Sequence, residues 1–403
     1  MFGAIYTGLS GMTAYSQGLD LISNNVANLN TPGFKVSDPL FREIVYRHLG
    51  TAGSRDAGSR PGGAGVQVQG SSISFRQGEL RDTGNSLDAA IDGSGFFVLN
   101  KDGQYIYTRA GQFEFNDEGV LVERGTGAPI VVSTESSSVG FFDIDSARVH
   151  PPRATTEVTI VGTLARGGTT TTYELPNLTV YDSSGTAIAL RARLVRDASN
   201  PLSWTVEILG PENAVFGSGA IVFNEDGTPA EGSSSITITV DSAVTSDFEV
   251  VFNFGSPGSF AGVTSPVAST ASQLQMLRQD GLQVGSLSRT EFDERGQLKL
   301  TYSNGETQIA GSLLLAQFDA PEQLRALGAG LFVTADAAQP ILGTALSSGF
   351  GRIIGSQLEM SNVELTQQFT DLIIMQRGYQ ASSQISSVAN ELIQTLLAMD
   401  GGR

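Results

Sequence analysis

The chain has 403 residues, 24 Lys plus Arg against 41 Asp plus Glu, a formal net charge of -17, no cysteine and two histidines. That length allows two or three domains with their own cores, while the acidic balance and the lack of any Lys/Arg run argue against nucleic acid as a partner, since phosphate binding needs clustered positive charge. Absent cysteine excludes disulfides, Cys-zinc sites and thiol catalysis, and His48 and His150 are too few for a multi-histidine metal centre.

From Phe2 to Val26 apolar residues return at helical spacing. Ile5, Met12, Leu19 and Val26 lie seven apart, with Leu9 between the first two, which predicts one stripe of a coiled-coil-like helix. Gly8, Gly11 and Gly18 each cost such a helix about 1 kcal/mol relative to Ala. Up to Phe34 the only charged side chain is Asp20, and Lys35 is the first basic residue, so the basic n-region of a cleavable signal is missing. The stretch NNVANLNTPGF, 24–34, predicts a helix stop. Asparagines such as Asn28 favour helix ends, Pro32 disfavours helix at Thr31, and Gly33 permits the turn that re-aims the chain.

Residues 50–65, GTAGSRDAGSRPGGAG, read as a Gly/Ser-rich linker. Beyond it, alternation of period two dominates. One strand face takes Ile236, Ile238 and Val240, a second Phe248, Val250, Phe252 and Phe254, and a third Ile188, Leu190, Ala192 and Leu194. Trp204, the single tryptophan, sits in another alternating run and reads as core. The pattern FNDEG at 115 returns as FNEDG at 223 and FDERG at 292. None has the D-x-D-x-D-G spacing with a distal Glu, so these predict hairpin turns rather than calcium loops. Pro151 and Pro152 pair with the Gly/Ser/Pro-rich stretch 255–266 as boundaries of an inserted domain.

At the C-terminus, Ser361 with Glu364 predicts a capping box, followed by a proline-free run to Met399. Leu365, Leu372, Tyr379 and Ile393 share one seven-residue spacing, and Phe369 and Leu397 a companion one. Gln376, Ser383, Ser386 and Asn390 lie between them, a mixed seam that is weaker than all-leucine but more selective about register. The two helices would span roughly 35 and 55 Å. They are too polar for lipid and too uncharged for a free surface, and no run nears the roughly 18 apolar residues of a membrane span. Packing against neighbouring chains satisfies both conditions, so the helices are expected to drive assembly.

No template for catalysis is met: there is no G-x-x-x-x-G-K-[ST] and no G-x-S-x-G. No catalytic, cofactor-binding or metal residue is expected. The expected fold is α+β: long terminal helices form a coiled-coil-like layer, with two nested β-rich domains between them. The expected division is 1–35 and 355–403 for the helical assembly domain, 36–65 for a linker, 66–150 and 267–354 for a first, discontinuous β domain, and 151–266 for a second, outer one.

Three ordered stretches resemble the bacterial flagellar rod and hook proteins. GLSGMTAYSQGLDLISNNVANLNTPGFK resembles their N-terminal signature, NSLDAAIDGSGFFVL with YTRAGQFEFNDEGVLV their first β domain, and LEMSNVELTQQFTDLIIMQRGYQASSQISSVANELIQTLL their C-terminal helix. The runs 178–209, 221–229 and 301–318 look hook-like, whereas 36–70 departs from the pattern. The resemblance implies a structural subunit of the hook type. Such subunits polymerise into a curved, flexible, hollow tube that joins rod to filament and transmits torque as a universal joint. It implies a homopolymer, with a distal rod protein, a hook–filament junction protein and a hook cap as further partners. It also implies a place outside the cell, in the flagellum, reached by type III export without a cleaved signal peptide. In that setting Ile5, Leu9, Met12, Leu19 and Val26 are expected to pack against Leu365, Phe369, Leu372, Tyr379, Ile393 and Leu397. The rival within the family is a distal rod subunit, and the rivals outside it are a secreted β-rich adhesin or glycan-active enzyme.

Overall fold

The computed structural model describes residues 2–46, 62–133, 139–167, 170–241, 245–334, 339–347 and 349–400, apart from the side chains of 2, 45, 46, 62–64 and 396–400. Two helices, α1 (Phe2–Ala27) and α2 (Leu365–Asp400), bracket a chain that is otherwise mostly β. The helices pack against each other. The chain divides into two compact units: Met1–Asp145 with Thr290–Leu300 and Gln308–Arg403, and Ser146–Arg289 with Thr301–Thr307.

The first unit holds both helices. Its largest complete sheet runs, in spatial order, Arg325–Gly328, Leu331–Val333, Gln104–Thr108, Phe96–Lys101, Leu315–Gln317 and Ile341–Gly343. All of its neighbours are antiparallel. Phe96, Val98, Tyr107, Leu314, Phe318 and Phe332 are buried together in one apolar cluster. Phe75 stands edge-on to Phe96 and Phe332, with ring centroids 5.4 and 5.1 Å away, a geometry that suits the aromatic quadrupole. Ser37–Tyr46 pairs antiparallel with Gly62–Ile73 as a long two-stranded ribbon. Strand therefore starts at Ser37, inside the linker expected from 36. Residues 47–61, most of the Gly/Ser-rich stretch, lie outside the described residues.

The second unit is a double sheet. One layer runs Thr172–Tyr181, Ala187–Arg196, Ser203–Leu209 and Val215–Val222. The other joins Ser235–Val240, Phe248–Asn253, Glu157–Thr163 and Val263–Thr264, with Gln273–Gln279 paired to Glu157–Thr163. Both layers contribute to one buried cluster that includes Trp204, Leu178, Leu190, Ile160, Phe252 and Phe254. Ser235–Val240 alternates exposed and buried residues as its sequence predicts, with Ile236, Ile238 and Val240 inward.

The three acidic-Gly patterns fold alike. The amides of Asn116, Asn224 and Asp293 donate to the carbonyls of Val120, Thr228 and Gln297, and those of Gly119, Gly227 and Gly296 donate back to Asn116, Asn224 and Asp293. All three glycines have positive φ, the conformation such a tight turn demands.

Candidate functional site: the helix pair and its root

The helices run antiparallel and meet along residues that barely have side chains. A Cβ placed on Gly8 would lie 3.0 Å from the Ser382 carbonyl oxygen, one on Gly11 2.5 Å from Ser382 Oγ, and one on Gly18 3.1 Å from Met375 Sδ. From the other side, a Cβ on Gly378 would meet the Tyr15 ring at 2.5 Å. The seam of α1 is thus Gly8, Gly11, Tyr15, Gly18 and Asn25, spaced by three, four or seven residues, with buried Ala14 and Ile22 alongside.

This corrects the phase of the expected stripe, though not its period. Ile5, Met12, Leu19 and Val26 each stand half-buried beside the seam, and Leu9 is 54% exposed. On α2, Leu372 and Ile393 are half-buried, while Leu365, Phe369 and Tyr379 are exposed. The side chain of Leu397 lies outside the described residues. The physical reason is proximity. Backbones this close leave room for few large residues between them, Tyr15 over Gly378 and Met375 over Gly18, so the other large residues flank the contact or face outward. Of the polar residues expected in the seam, Ser386 touches the Gly8 position, while Gln376, Ser383 and Asn390 are exposed.

The outward faces are apolar and largely exposed. Leu365, Phe369 and Ile373 follow one another at spacing four on α2, and Ile385, Val388 and Leu392 continue at three and four. Ile373, Val388 and Leu392 are 56%, 49% and 52% exposed. On α1, Tyr6 and Leu9 border a recess shared with Ile44, Val66 and Val68 of the ribbon.

The helices are rooted by polar groups. Fully buried Asn25 donates to Gln368 Oε1 on α2 at 2.9 Å and brackets the Ser37 backbone, donating to its carbonyl at 3.0 Å and accepting from its amide at 3.1 Å. α1 ends at Ala27, and Asn28 caps the turn by accepting from Thr31 Oγ1. Gly33 follows at φ 72°, a left-handed conformation natural to glycine. Its amide donates to the Glu359 carbonyl at 2.7 Å.

Glu359, wholly buried, gathers the rest. Its Oε1 accepts from Lys35 Nζ at 2.5 Å and from the Gly78 amide at 2.8 Å, and its Oε2 accepts from Arg109 Nη1 at 3.2 Å. Lys35 Nζ also donates to the Arg76 carbonyl. Arg109 Nη2 donates to Gly93, and its guanidinium lies 5.1 Å from the centre of the Phe96 ring. The expected capping box at Ser361 is displaced. α2 starts only at Leu365, because Asn362 is engaged otherwise: it accepts from the Val36 amide and donates to the Ser74 and Arg76 carbonyls. Asn25, Arg109, Glu359, Asn362 and Gln368 were not among the residues the sequence singled out, and Lys35 stood out only as the first basic residue.

Burial holds the Lys35 ammonium below the ordinary lysine range, Glu359 opposing this and Arg109 adding to it. The folded chain therefore binds fewer protons here than the unfolded chain does. Stability is expected to rise as pH climbs from the folded-state value toward roughly 10, the unfolded value. Denaturant midpoints measured across that window should increase for the wild type relative to Lys35→Met, and parallel curves would refute this.

At the root, Lys35, Arg109, Gly78 and Glu359 converge and bond to one another. Among the described residues no cluster of metal-ligating side chains occurs, and no helix is long and apolar enough to cross a membrane.

Comparison with known proteins finds flagellar proteins along the chain. Family models match in chain order: Flagella basal body rod protein at 5–35, Flagellar hook protein FlgE/F/G D1 domain at 90–163, Flagellar basal body protein FlaE D2 domain at 165–320, and Flagellar basal body rod FlgEFG protein C-terminal at 355–399. The flagellar hook protein FlgE of Borreliella burgdorferi is 29% identical over 99% of this chain and 100% of its own. That of Escherichia coli is 28% identical over 96% of this chain and 98% of its own. The crystal structure of Helicobacter pylori flagellar hook protein FlgE2 aligns with 70% of this chain and 100% of its own, at 13% identity and a TM-score of 0.48.

Proposed function

Because this chain belongs to the flagellar rod and hook protein family, we propose that its work is mechanical: it is the structural subunit of the hook and polymerises with copies of itself. The observation that carries this reading is the outward apolar face of the helix pair. A lone chain in water leaves Phe369, Ile373, Val388 and Leu392 half-exposed, and charge on α1 is confined to Asp20. Neighbouring helices in a tube would cover that face and recover hydrophobic free energy, about 25 cal/mol per Å² of apolar surface.

In this reading the terminal segments 1–35 and 355–403 form the inner, coiled-coil-like layer. Leu9, Leu365, Phe369 and Tyr379 meet neighbouring copies, while Ile5, Met12, Leu19, Val26, Leu372 and Ile393 shoulder the contact within one subunit, with Leu397 beyond them. The β regions 66–150 with 267–354 and then 151–266 build successive outer layers. The tube is hollow, curved and flexible, and it passes torque from rod to filament. A distal rod protein below, a junction protein above and a cap during growth are its further partners. It works outside the cell, exported without a cleaved signal.

Negative-stain microscopy of the purified chain after salt-driven association tests this. Curved hollow tubes are expected. Straight rods would transfer the chain to the distal rod, and the absence of any polymer would overturn the assembly reading.

A further inference from the structure

The root holds two buried cations and one carboxylate. Lys35 and Arg109 are 0% and 6% exposed at the side chain, Glu359 is 0%, and Arg109 Nε has no acceptor among the described residues. Charge in such a place is expensive unless matched, and here it is matched two to one. Each cation also donates to one backbone carbonyl, and Phe96 faces the guanidinium, but among the described residues the carboxylate that pairs with both is Glu359 alone.

We infer that Glu359 is the positioning residue of the whole helix pair, one carboxylate that fixes both terminal helices on the first β unit, with Lys35 the surplus member of the triad. Its bonds reach four segments at once. They are the turn after α1 through Gly33 and Lys35, the connector at Gly78, the bend after Gln104–Thr108 through Arg109, and, through its own backbone, the approach to α2. This goes beyond the hook reading and is tested on the unpolymerised chain, so its failure leaves that reading untouched, and a wild-type chain that never polymerises would leave this one standing.

The uneven ratio predicts unequal consequences. Glu359→Gln is nearly isosteric, keeps an acceptor for the Gly78 amide and leaves two buried cations facing each other. Lys35→Met removes the surplus cation and leaves a one-to-one pair of Arg109 with Glu359. It strands no carbonyl, because Asn362 also donates to Arg76 O. The double variant has one unmatched cation instead of two, so removing a second side chain should repair part of the first loss. A role limited to packing would give the opposite order.

The experiment is hydrogen exchange, read by mass spectrometry on full-length monomers of the wild type, both single variants and the double variant. Glu359→Gln is expected to lose protection at Gly33, Gly78 and Met360 by roughly a hundredfold, with the strand Phe96–Lys101 unchanged. Lys35→Met should stay within a few-fold of wild type, and the double variant should lie between the single variants. If Glu359→Gln does not fold at all, folding of the double variant supports the inference. A double variant as exposed as Glu359→Gln or more so, or a Lys35→Met as exposed as Glu359→Gln, would overturn it.

Discussion

Gly33→Ala is expected to detach the helix pair from its root. A Cβ there would stand 2.5 Å from the Ala110 amide nitrogen and 2.8 Å from the Arg109 carbonyl carbon. Both neighbours are backbone, so no side chain can swing aside. The φ of 72° adds the left-handed penalty of a residue with a Cβ, about 1–2 kcal/mol. Clash and strain together should cost about 3 kcal/mol or more, the scale of a severe point mutation. The turn would have to shift, which would carry the Gly33 amide off Glu359 and draw Lys35 out of the triad. Lys35 is 4% exposed in the native chain, so trypsin should cut after it in the variant and spare it in the wild type. Unchanged resistance at Lys35 would show that the turn tolerates a side chain and that its glycine is incidental.

Ile373→Asp with Val388→Asp should abolish polymerisation and leave the monomer intact. Both residues are about half exposed in the single chain, so replacing them should move monomer stability by only about 0.5 kcal/mol. In a tube the same carboxylates would be buried without partners, each at a penalty of several kcal/mol. The critical concentration for assembly should then rise at least tenfold, the equivalent of about 1.4 kcal/mol per subunit. The readouts are pelleting for the polymer and thermal melting for the monomer. Normal tubes at wild-type concentration would mean that this face of α2 points to a channel or to solvent. A collapsed melting curve would mean that the two residues belong to the monomer core.

How much of this is legible in the amino-acid sequence depends on what the physics acts on. Alternation in the second unit is legible because hydrophobicity is the quantity that decides which face of a strand turns inward. Ile236, Ile238 and Val240 follow it residue by residue. The acidic-Gly turns are legible because their conformation is local. The period of the terminal helices can be read, but the phase cannot. Hydrophobicity assigns a glycine no direction, so Gly8, Gly11 and Gly18 register only as weak helix formers, although the partner helix approaches closest at those positions. Ser361 misleads for a related reason, since a capping pattern is local and the rival demand on Asn362 comes from Val36, 326 positions away. The triad is the least legible of all. Lys35 and Glu359 are 324 residues apart, and each alone reads as an ordinary surface charge. The one hint is that Lys35 ends a long stretch with a single charge.

The seam and the root together have a further consequence. Large interlocked side chains would give a helix pair a deeply notched energy profile along its axis, with a barrier at every tooth. Where Gly8 and Gly11 face Ser382 and Ser386 the track is nearly smooth, and Tyr15 against Gly378 and Met375 against Gly18 are its few teeth. Creep of one helix along the other thus meets little friction only toward the start of α1. The Asn25–Gln368 bond sits at one end of that track and behaves as a pin. Above that pin the ribbon still holds α1, through Phe41 beside Tyr15 and the Val66 amide, which donates to Ser10 Oγ. Compliance is therefore uneven along the pair, least between Asn25 and Ser10 and greatest beyond Ser10, where Gly8 faces Ser382 and Ser386.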